Sequence, residues 1–349
     1  MEYYFLDRVP WQDSQSLYHA AAYLGREVLF ILRPATPYFC LGCHQDARQE
    51  VDLEYVGRHE IPLLRREVGG GAVYLDGQQL FYQFVLRKDR PGLPAAMGDL
   101  YRTVLQPVVE TYRQFGVAAE FRPVNDIIAN GRKVSGNGAA EINDMRIVVG
   151  NFILDFDYEM MSRVLRVPDE KFRDKVYKTL SENLSTFRRE IGSIPETADL
   201  AADLRRRVEA LLGPLEQKYV LDEALRRKAN ERFDEMYSDA WLFDNDFRKE
   251  RQPQVKIREG VSVLQKVVKL PGGLVRLTAI NQEGRLADVH LSGDFFIYPQ
   301  SSLAGLEQAL EGVALEGGAL EAAIAGFYAR GRIETPGITP QALAGVFLA

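Results

Sequence analysis

Cysteine is scarce in this chain: 349 residues contain two, both in Cys40-Leu41-Gly42-Cys43-His44. That string matches the redox C-x-x-C and the haem-attachment C-x-x-C-H patterns. Covalent haem calls for export, and Met1-Glu2-Tyr3-Tyr4 lacks the basic segment and apolar core of a signal peptide. Four-ligand zinc would need two further soft ligands, whereas His19, His59 and His290 stand singly. The pair is expected as two thiols in or beside a strand. No apolar run reaches membrane-spanning length, so no membrane partner and a cytoplasmic location are expected. A positive excess is also lacking. The formal net charge of −6 argues against nucleic acid held by whole-molecule charge. Repeats and low-complexity segments are absent. With 46% hydrophobic and 26% charged residues, the composition is that of a globular protein long enough for two cores.

Glycine, by contrast, is concentrated where it costs most. In Arg65-Arg66-Glu67-Val68-Gly69-Gly70-Gly71-Ala72-Val73-Tyr74-Leu75-Asp76, three successive glycines lose backbone entropy and pack no side chain. Such a run belongs where the backbone is unusual or a ligand approaches closely. Two arginines precede it and a short apolar strand follows, so N–H groups and guanidinium charge could converge on a phosphate or carboxylate. The alternative is a tight strand connection with no ligand. The run matches neither G-x-x-x-x-G-K-[ST] nor G-x-G-x-x-G.

Around this cradle the pattern is mixed. A strand at Tyr3–Leu6, a helix capped by Asp13 or Ser14 and running to about Tyr23, and a strand at Glu27–Leu32 open the chain. A helix at Val51–Val56 and strands at Ile61–Leu64 and Leu80–Leu86 flank the cradle. Met97, Tyr101, Val104, Leu105, Val108, Tyr112 and Phe115 recur at helical spacing, with Gly116 as a stop. Asn130-Gly131 between two strand-like runs signals a hairpin with a type I′ turn. Counting back from the turn pairs Ala129 with Arg132, Ile128 with Lys133, Ile127 with Val134 and Asp126 with Ser135. Alternation then puts Asp126, Ile128, Lys133 and Ser135 on one face, either as a functional surface or as a solvated one.

Arg146–Leu154 reads as a strand interrupted at Gly150-Asn151, and Asp157–Leu165 as a short helix. Residues 168–195 are charged and weakly patterned, consistent with a solvated face or a mobile basic loop. Charged helices near Ala198–Leu212 and Leu221–Tyr237 lead to a polar linker at Asp244–Pro253. From Lys256 three antiparallel strands precede three helical runs, a small α+β module.

Read together, the glycine cradle, Asn125-Asp126 and Gly131-Arg132-Lys133-Val134-Ser135-Gly136 resemble the lipoate-protein ligase family of the biotin/lipoate ligase-like superfamily. Gly42-Cys43-His44-Gln45-Asp46 adds a weaker match, and residues 255–331 look like that family's C-terminal accessory domain. The resemblance implies an α+β fold: a mixed-sheet catalytic domain over 1–248 and a smaller α+β domain over 254–349. It implies ATP-dependent activation of lipoate or octanoate to the acyl-adenylate, then transfer to a lysine of a lipoyl-acceptor protein.

Lys133 would be the catalytic residue. Substrate and nucleotide would be bound by Arg65, Arg66, Gly69, Gly70, Gly71, Ala72, Val73, Asp76, Gln79, Asn125, Asp126, Ser135, Gly136 and Gly150, with Asp126 also placing Mg²⁺. The chain departs from the family's pattern at Val68, Leu75, Gln78-Gln79 and Val149-Gly150-Asn151, where serine, histidine, Gly-Asn and His-Gly-Thr are usual. Two other functions fit parts of the pattern: octanoyl transfer through an acyl-cysteine, which needs a thiol near Lys133, and a non-catalytic lipoyl- or nucleotide-binding protein.

Overall fold

The computed structural model describes residues 1–246 and 261–349. The later part of the expected linker, the expected module start at Lys256 and the expected limits at 248 and 254 lie outside the described residues. In chain order the strands are β1 (Glu2–Val9), β2 (Val28–Pro34), β3 (Tyr38–Leu41), β4 (Leu63–Arg65), β5 (Val73–Leu75), β6 (Gln79–Arg87), β7 (Ala119–Arg122), β8 (Asp126–Ala129), β9 (Arg132–Ser135), β10 (Asn137–Ile142), β11 (Met145–Ile153), β12 (Glu216–Lys218), β13 (Val261–Leu270), β14 (Gly273–Gln282) and β15 (Arg285–Phe295). The helices are α1 (Trp11–Tyr23), α2 (Ala47–Glu50), α3 (Leu53–Arg58), α4 (Met97–Gln114), α5 (Tyr158–Val164), α6 (Glu170–Asn183), α7 (Phe187–Ile191), α8 (Thr197–Leu212), α9 (Glu223–Met236), α10 (Asp239–Leu242), α11 (Ser302–Leu310), α12 (Gly317–Gly331) and α13 (Pro340–Leu348). Two compact units result. One comprises Met1–Cys40, Gln49–Arg66 and Val73–Leu242; the other comprises Leu41–Arg48, Glu67–Ala72 and Phe243–Ala349.

The first unit is built on a mixed sheet in the order β10-β11-β6-β2-β1-β12. Parallel pairing joins β1 to β2 and β12, and antiparallel pairing joins the rest. A parallel neighbour in sequence needs a crossover. Here it is α1, packed on β2 and β6 and covered by α9. The helix starts at Trp11 behind Pro10 with no side-chain cap, which corrects the expected cap at Asp13 or Ser14. Asp13 instead pairs with Arg226 of α9 at 2.7 Å. In α4 the apolar residues at helical spacing from Met97 to Tyr112 are buried, and Gly116 follows with φ +88°.

Alternation gives the β6–β11 pair two faces. Gln79, Phe81 and Gln83 share one with their register partners Ile153, Asn151 and Val149, while Leu80 and Tyr82 share the other with Phe152 and Gly150. The expected interruption at Gly150-Asn151 is corrected, since β11 runs straight through it. Gly150 lies opposite Tyr82, and a Cβ there would come 2.5 Å from the tyrosine hydroxyl, so glycine makes room for the ring. Residues 168–195 hold α6 and α7. Asp169 caps α6 by accepting from Phe172 N at 3.0 Å, and no α6 residue is buried, so its charges form a solvated helical face.

In the second unit β13, β14 and β15 form an antiparallel sheet. Inward residues of β14 and β15, among them Val275, Leu277 and Leu291, join Leu306, Ile324 and Phe347 of the helices in one apolar core. This is the α+β module that the strand and helix pattern predicts. Segments 41–48 and 67–72 are part of the same unit. Gly293 N donates to His44 O at 2.8 Å, and the His44 ring stacks on Phe295 at 5.3 Å.

Candidate active site

Asn130 and Gly131 take φ of 50° and 77°, as a type I′ turn requires. Ala129 faces Arg132 and Ile128 faces Lys133, as counting from the turn predicts. One step further a bulge intervenes. Ile127 faces Ser135 and Val134 is the extra residue, which corrects the expected Ile127–Val134 and Asp126–Ser135 pairs. Tertiary anchors accompany the shift: Tyr112 Oη donates to Val134 O at 2.6 Å, and Ser135 Oγ lies 2.7 Å from Tyr82 Oη. Ser135 is thereby buried with Tyr82 rather than presented beside Lys133.

Asp126 and Lys133 do meet. Lys133 Nζ lies 2.7 Å from Asp126 Oδ1, and the lysine side chain is 35% exposed, so the ammonium is paired and still accessible. Arg122 Nη2 donates to Asp126 Oδ2 at 3.0 Å. Burial pushes the Asp126 carboxyl up, but Lys133 and Arg122 together outweigh it and hold it below the ordinary carboxylate range. The carboxylate therefore stays ionised.

Two buried polar networks lie next to this pair. In one, Tyr82 Oη donates to Asn137 Oδ1 at 2.5 Å and Asn137 Nδ2 donates to Asn125 O at 2.8 Å, while Asn125 Nδ2 donates back to Asn137 O. Asn125 is thus tied to Asn137 rather than to Lys133. Gly150 sits over this network, its added Cβ falling 2.1 Å from Asn137 Oδ1, so its place is one of packing. In the other, Gly136 N donates to Asn151 Oδ1 at 3.0 Å and Asn151 Nδ2 donates to Gln79 Oε1 at 2.8 Å. Tyr82, Asn137, Asn151 and Arg122 are participants that sequence reasoning did not select. Strand alternation from Gln79 across to β11 is the signal that would have pointed to Asn151.

The arginines before the glycine run are buried and donate to backbone carbonyls. Arg65 is 1% exposed and donates through Nη2 and Nε to Leu242 O at 2.6 and 3.0 Å, so it ties β4 to α10. Arg66 Nη1 donates to Cys40 O at 3.3 Å. Burial pushes the Cys40 thiol up, against the lowering effect of Arg66, so it stays protonated. Val73 opposes Cys40 in β5, and Asp76 follows that strand. Burial also raises the Asp76 carboxyl, and the charge of Asp157 adds to it against a hydrogen bond from Gln78 N.

Gly69, Gly70, Gly71 and Ala72 belong to the second unit. Within it each glycine has a steric reason. A Cβ on Gly69 would lie 2.9 Å from Phe296 Cδ1, one on Gly71 3.0 Å from Asp294 Oδ2, and one on Gly42 1.8 Å from Gly70 O. Gly70 has φ +94°.

Asp126, expected to place Mg²⁺, accepts from both Lys133 and Arg122. Among the described residues no group of three or more His, Cys, Asp or Glu is placed to hold a metal ion. No helix among them is long and apolar enough to cross a membrane.

A six-stranded mixed sheet, a lysine hairpin in the three-stranded sheet β7-β8-β9 and an α+β module define the class as the biotin/lipoate ligase-like fold. Residues 8–209 match the lipoyl protein ligase A/B catalytic domain, and the chain belongs to that family of lipoate ligases and octanoyltransferases. It is 27% identical over 301 residues to lipoate–protein ligase 2 of Staphylococcus aureus, covering 83% of this chain and 81% of the relative. It is 25% identical over 235 residues to the octanoyltransferase LipM of Kyrpidia tusciae, covering 55% of this chain and 84% of the relative. A solved bipartite lipoate protein ligase of Thermoplasma acidophilum, described with its E2 lipoyl domain, superposes with a TM-score of 0.61 at 26% identity, over 72% of this chain and 98% of that one.

Proposed function

We propose that this enzyme activates lipoate or octanoate with ATP as the acyl-adenylate and transfers the acyl group to a lysine of a lipoyl-acceptor protein. The observation that carries the proposal is the accessible ion pair of Lys133 with Asp126 at 2.7 Å. In the first half-reaction a carboxylate oxygen of the acid attacks the α-phosphorus of ATP. The bond to the bridging oxygen of the β-phosphate breaks, and pyrophosphate leaves with the electron pair. Both reactants are anionic, so a fixed ammonium where their charges meet stabilises the transition state more than the separated reactants. Lys133 fills that role, and Asp126, 2.7 Å from its Nζ, holds it aimed until substrate arrives. In the second half-reaction the neutral amine of the acceptor lysine attacks the acyl carbon, AMP departs and the amine proton passes to solvent.

Arg66, Gly69, Gly70, Gly71, Ala72, Val73, Asp76 and Gly136 are proposed to contribute binding groups for the acid and nucleotide. Arg65, Ser135, Asn125 and Gly150 act through the scaffold. The module beyond the linker is proposed to support the activation step. Likeness to LipM favours a second possibility, transfer from a pre-activated acyl donor. Through an acyl-cysteine that chemistry needs a thiolate, and burial keeps Cys40 protonated. Pyrophosphate release measured across candidate acids, with the intact mass of acceptor domains, tests the choice. Acid-dependent release followed by acylation of the acceptor is expected; acylation from an octanoyl thioester with no use of ATP would replace ligation by transfer.

A further inference from the structure

Gln79 and Asn151 are buried amides, 1% and 8% exposed, on the face of the β6–β11 pair that carries Phe81 and Val149. Asn151 faces Phe81 and Gln79 faces Ile153, so the two amides are diagonal neighbours. Their hydrogen bonds form one chain with a fixed direction. Gly136 N–H can only donate, and it donates to Asn151 Oδ1 at 3.0 Å. Asn151 Nδ2 then donates to Gln79 Oε1 at 2.8 Å, and Gln79 Nε2 donates to Tyr74 O, which can only accept, at 3.0 Å. Buried amides are costly unless satisfied, and satisfied ones fix geometry.

What they fix is the floor under Lys133. A Cβ built on Gly136 would lie 3.4 Å from Lys133 Cε, 3.7 Å from Nζ and 4.0 Å from Asn151 Oδ1. The end of the lysine thus rests over the Gly136 peptide that Asn151 holds. On its open side the ammonium meets Asp126 at 2.7 Å. Both amides also stand where the chain departs from the pattern it otherwise resembles.

We infer that Gln79 and Asn151 are a positioning pair for Lys133, acting through the Gly136 peptide; the kinetic part of this inference rests on the ligase function proposed above. Without the pair the peptide loses its anchor, and the ammonium is no longer confined between Gly136 and Asp126. Both amides are buried and satisfied by protein partners, so turnover is expected to fall while substrate affinity holds.

The test uses the full chain with Asn151→Ala, Gln79→Met and the double variant. Asn151→Ala is expected to lower kcat for acid-dependent pyrophosphate release about 10- to 100-fold, with KM for ATP and for the acid within about two-fold. Gln79→Met, which keeps the volume, is expected to move the same way and decides the matter if Asn151→Ala does not fold. The double variant should be no slower than Asn151→Ala alone, because both members serve one chain.

A second readout needs no turnover: acetylation of Lys133 by acetic anhydride, followed by peptide mass against the exposed Lys175. It should speed up several-fold at Lys133 in each single variant and stay constant at Lys175. Absence of pyrophosphate release by the unaltered protein would sink the ligase function and leave this labelling test standing. Unchanged labelling at Lys133, an effect on KM alone, or additive losses in the double variant would overturn the positioning role.

Discussion

Lys133 sits 2.7 Å from Asp126 with about a third of its side chain in contact with solvent, so its charge is both paired and usable. Losing a positioned donor to a developing oxyanion costs about 10²- to 10³-fold in kcat, on the order of 3–4 kcal/mol. Lys133→Met is expected to lose at least that much pyrophosphate release while unfolding within about 1 kcal/mol of the unaltered protein, since partly exposed ion pairs add little stability. Asp126 has a depressed carboxyl, so its contribution is complete above the ordinary carboxylate range and is lost as the pH falls through the lowered value. Urea unfolding followed from neutral to acid pH should show a shallower decline for Asp126→Asn. Replacing Cys40 and Cys43 together by alanine should leave acyl transfer to acceptor within about two-fold, because the Cys40 thiol is buried and protonated and neither cysteine belongs to the hairpin that carries Lys133. The lysine and its acid were legible in the sequence because Asn130-Gly131 dictates the turn and the turn dictates the first two pairs. Ser135 was misplaced because the bulge goes with Tyr112 and Tyr82, residues brought to the hairpin only by tertiary packing.

The strand β11 shows how a local signal is overridden by its neighbours. Gly150-Asn151 reads as a break, yet nine residues pair continuously with β6, since Tyr82 needs the space a side chain would fill. Gly150→Ala would set a methyl 2.1 Å from Asn137 Oδ1. Overpacking of that kind costs about 1–3 kcal/mol, so a fall in the urea midpoint with an unchanged slope is expected. A midpoint equal to that of the unaltered protein would mean the Tyr82–Asn137 contact is not rigid. For α6 the sequence was ambiguous because nothing in it is buried, leaving only the Asp169 cap and helix-forming residues to specify it. The helices α4, α8 and α9 were legible because each buries an apolar stripe.

On the scale of the whole molecule, the strand-rich module was plain from its alternation, but its extent was not. Segments 41–48 and 67–72 belong to the same unit through close glycine contacts that only the folded chain brings about. Residues 1–246 alone would leave the Gly69–Gly71 run without Phe296 and Asp294. Faster amide exchange over 67–72 is expected in that fragment, with partial recovery when residues 254–349 are added. In the same unit burial raises the Glu307 carboxyl to about 7, with the charge of Glu311 adding to it. A raised acid stabilises the folded state below its ordinary value, and that stability is lost as the pH rises from about 4.5 to about 7, up to about 3 kcal/mol. Glu307→Gln should flatten the melting temperature across that window. The proposed chemistry is tested most directly by a single-turnover measurement of pyrophosphate on the full chain, with lipoate or octanoate, ATP and no acceptor protein. About one equivalent should be released by the unaltered enzyme and almost none by Lys133→Met; acyl transfer to an acceptor with no pyrophosphate, or release unaffected by the loss of Lys133, would contradict it.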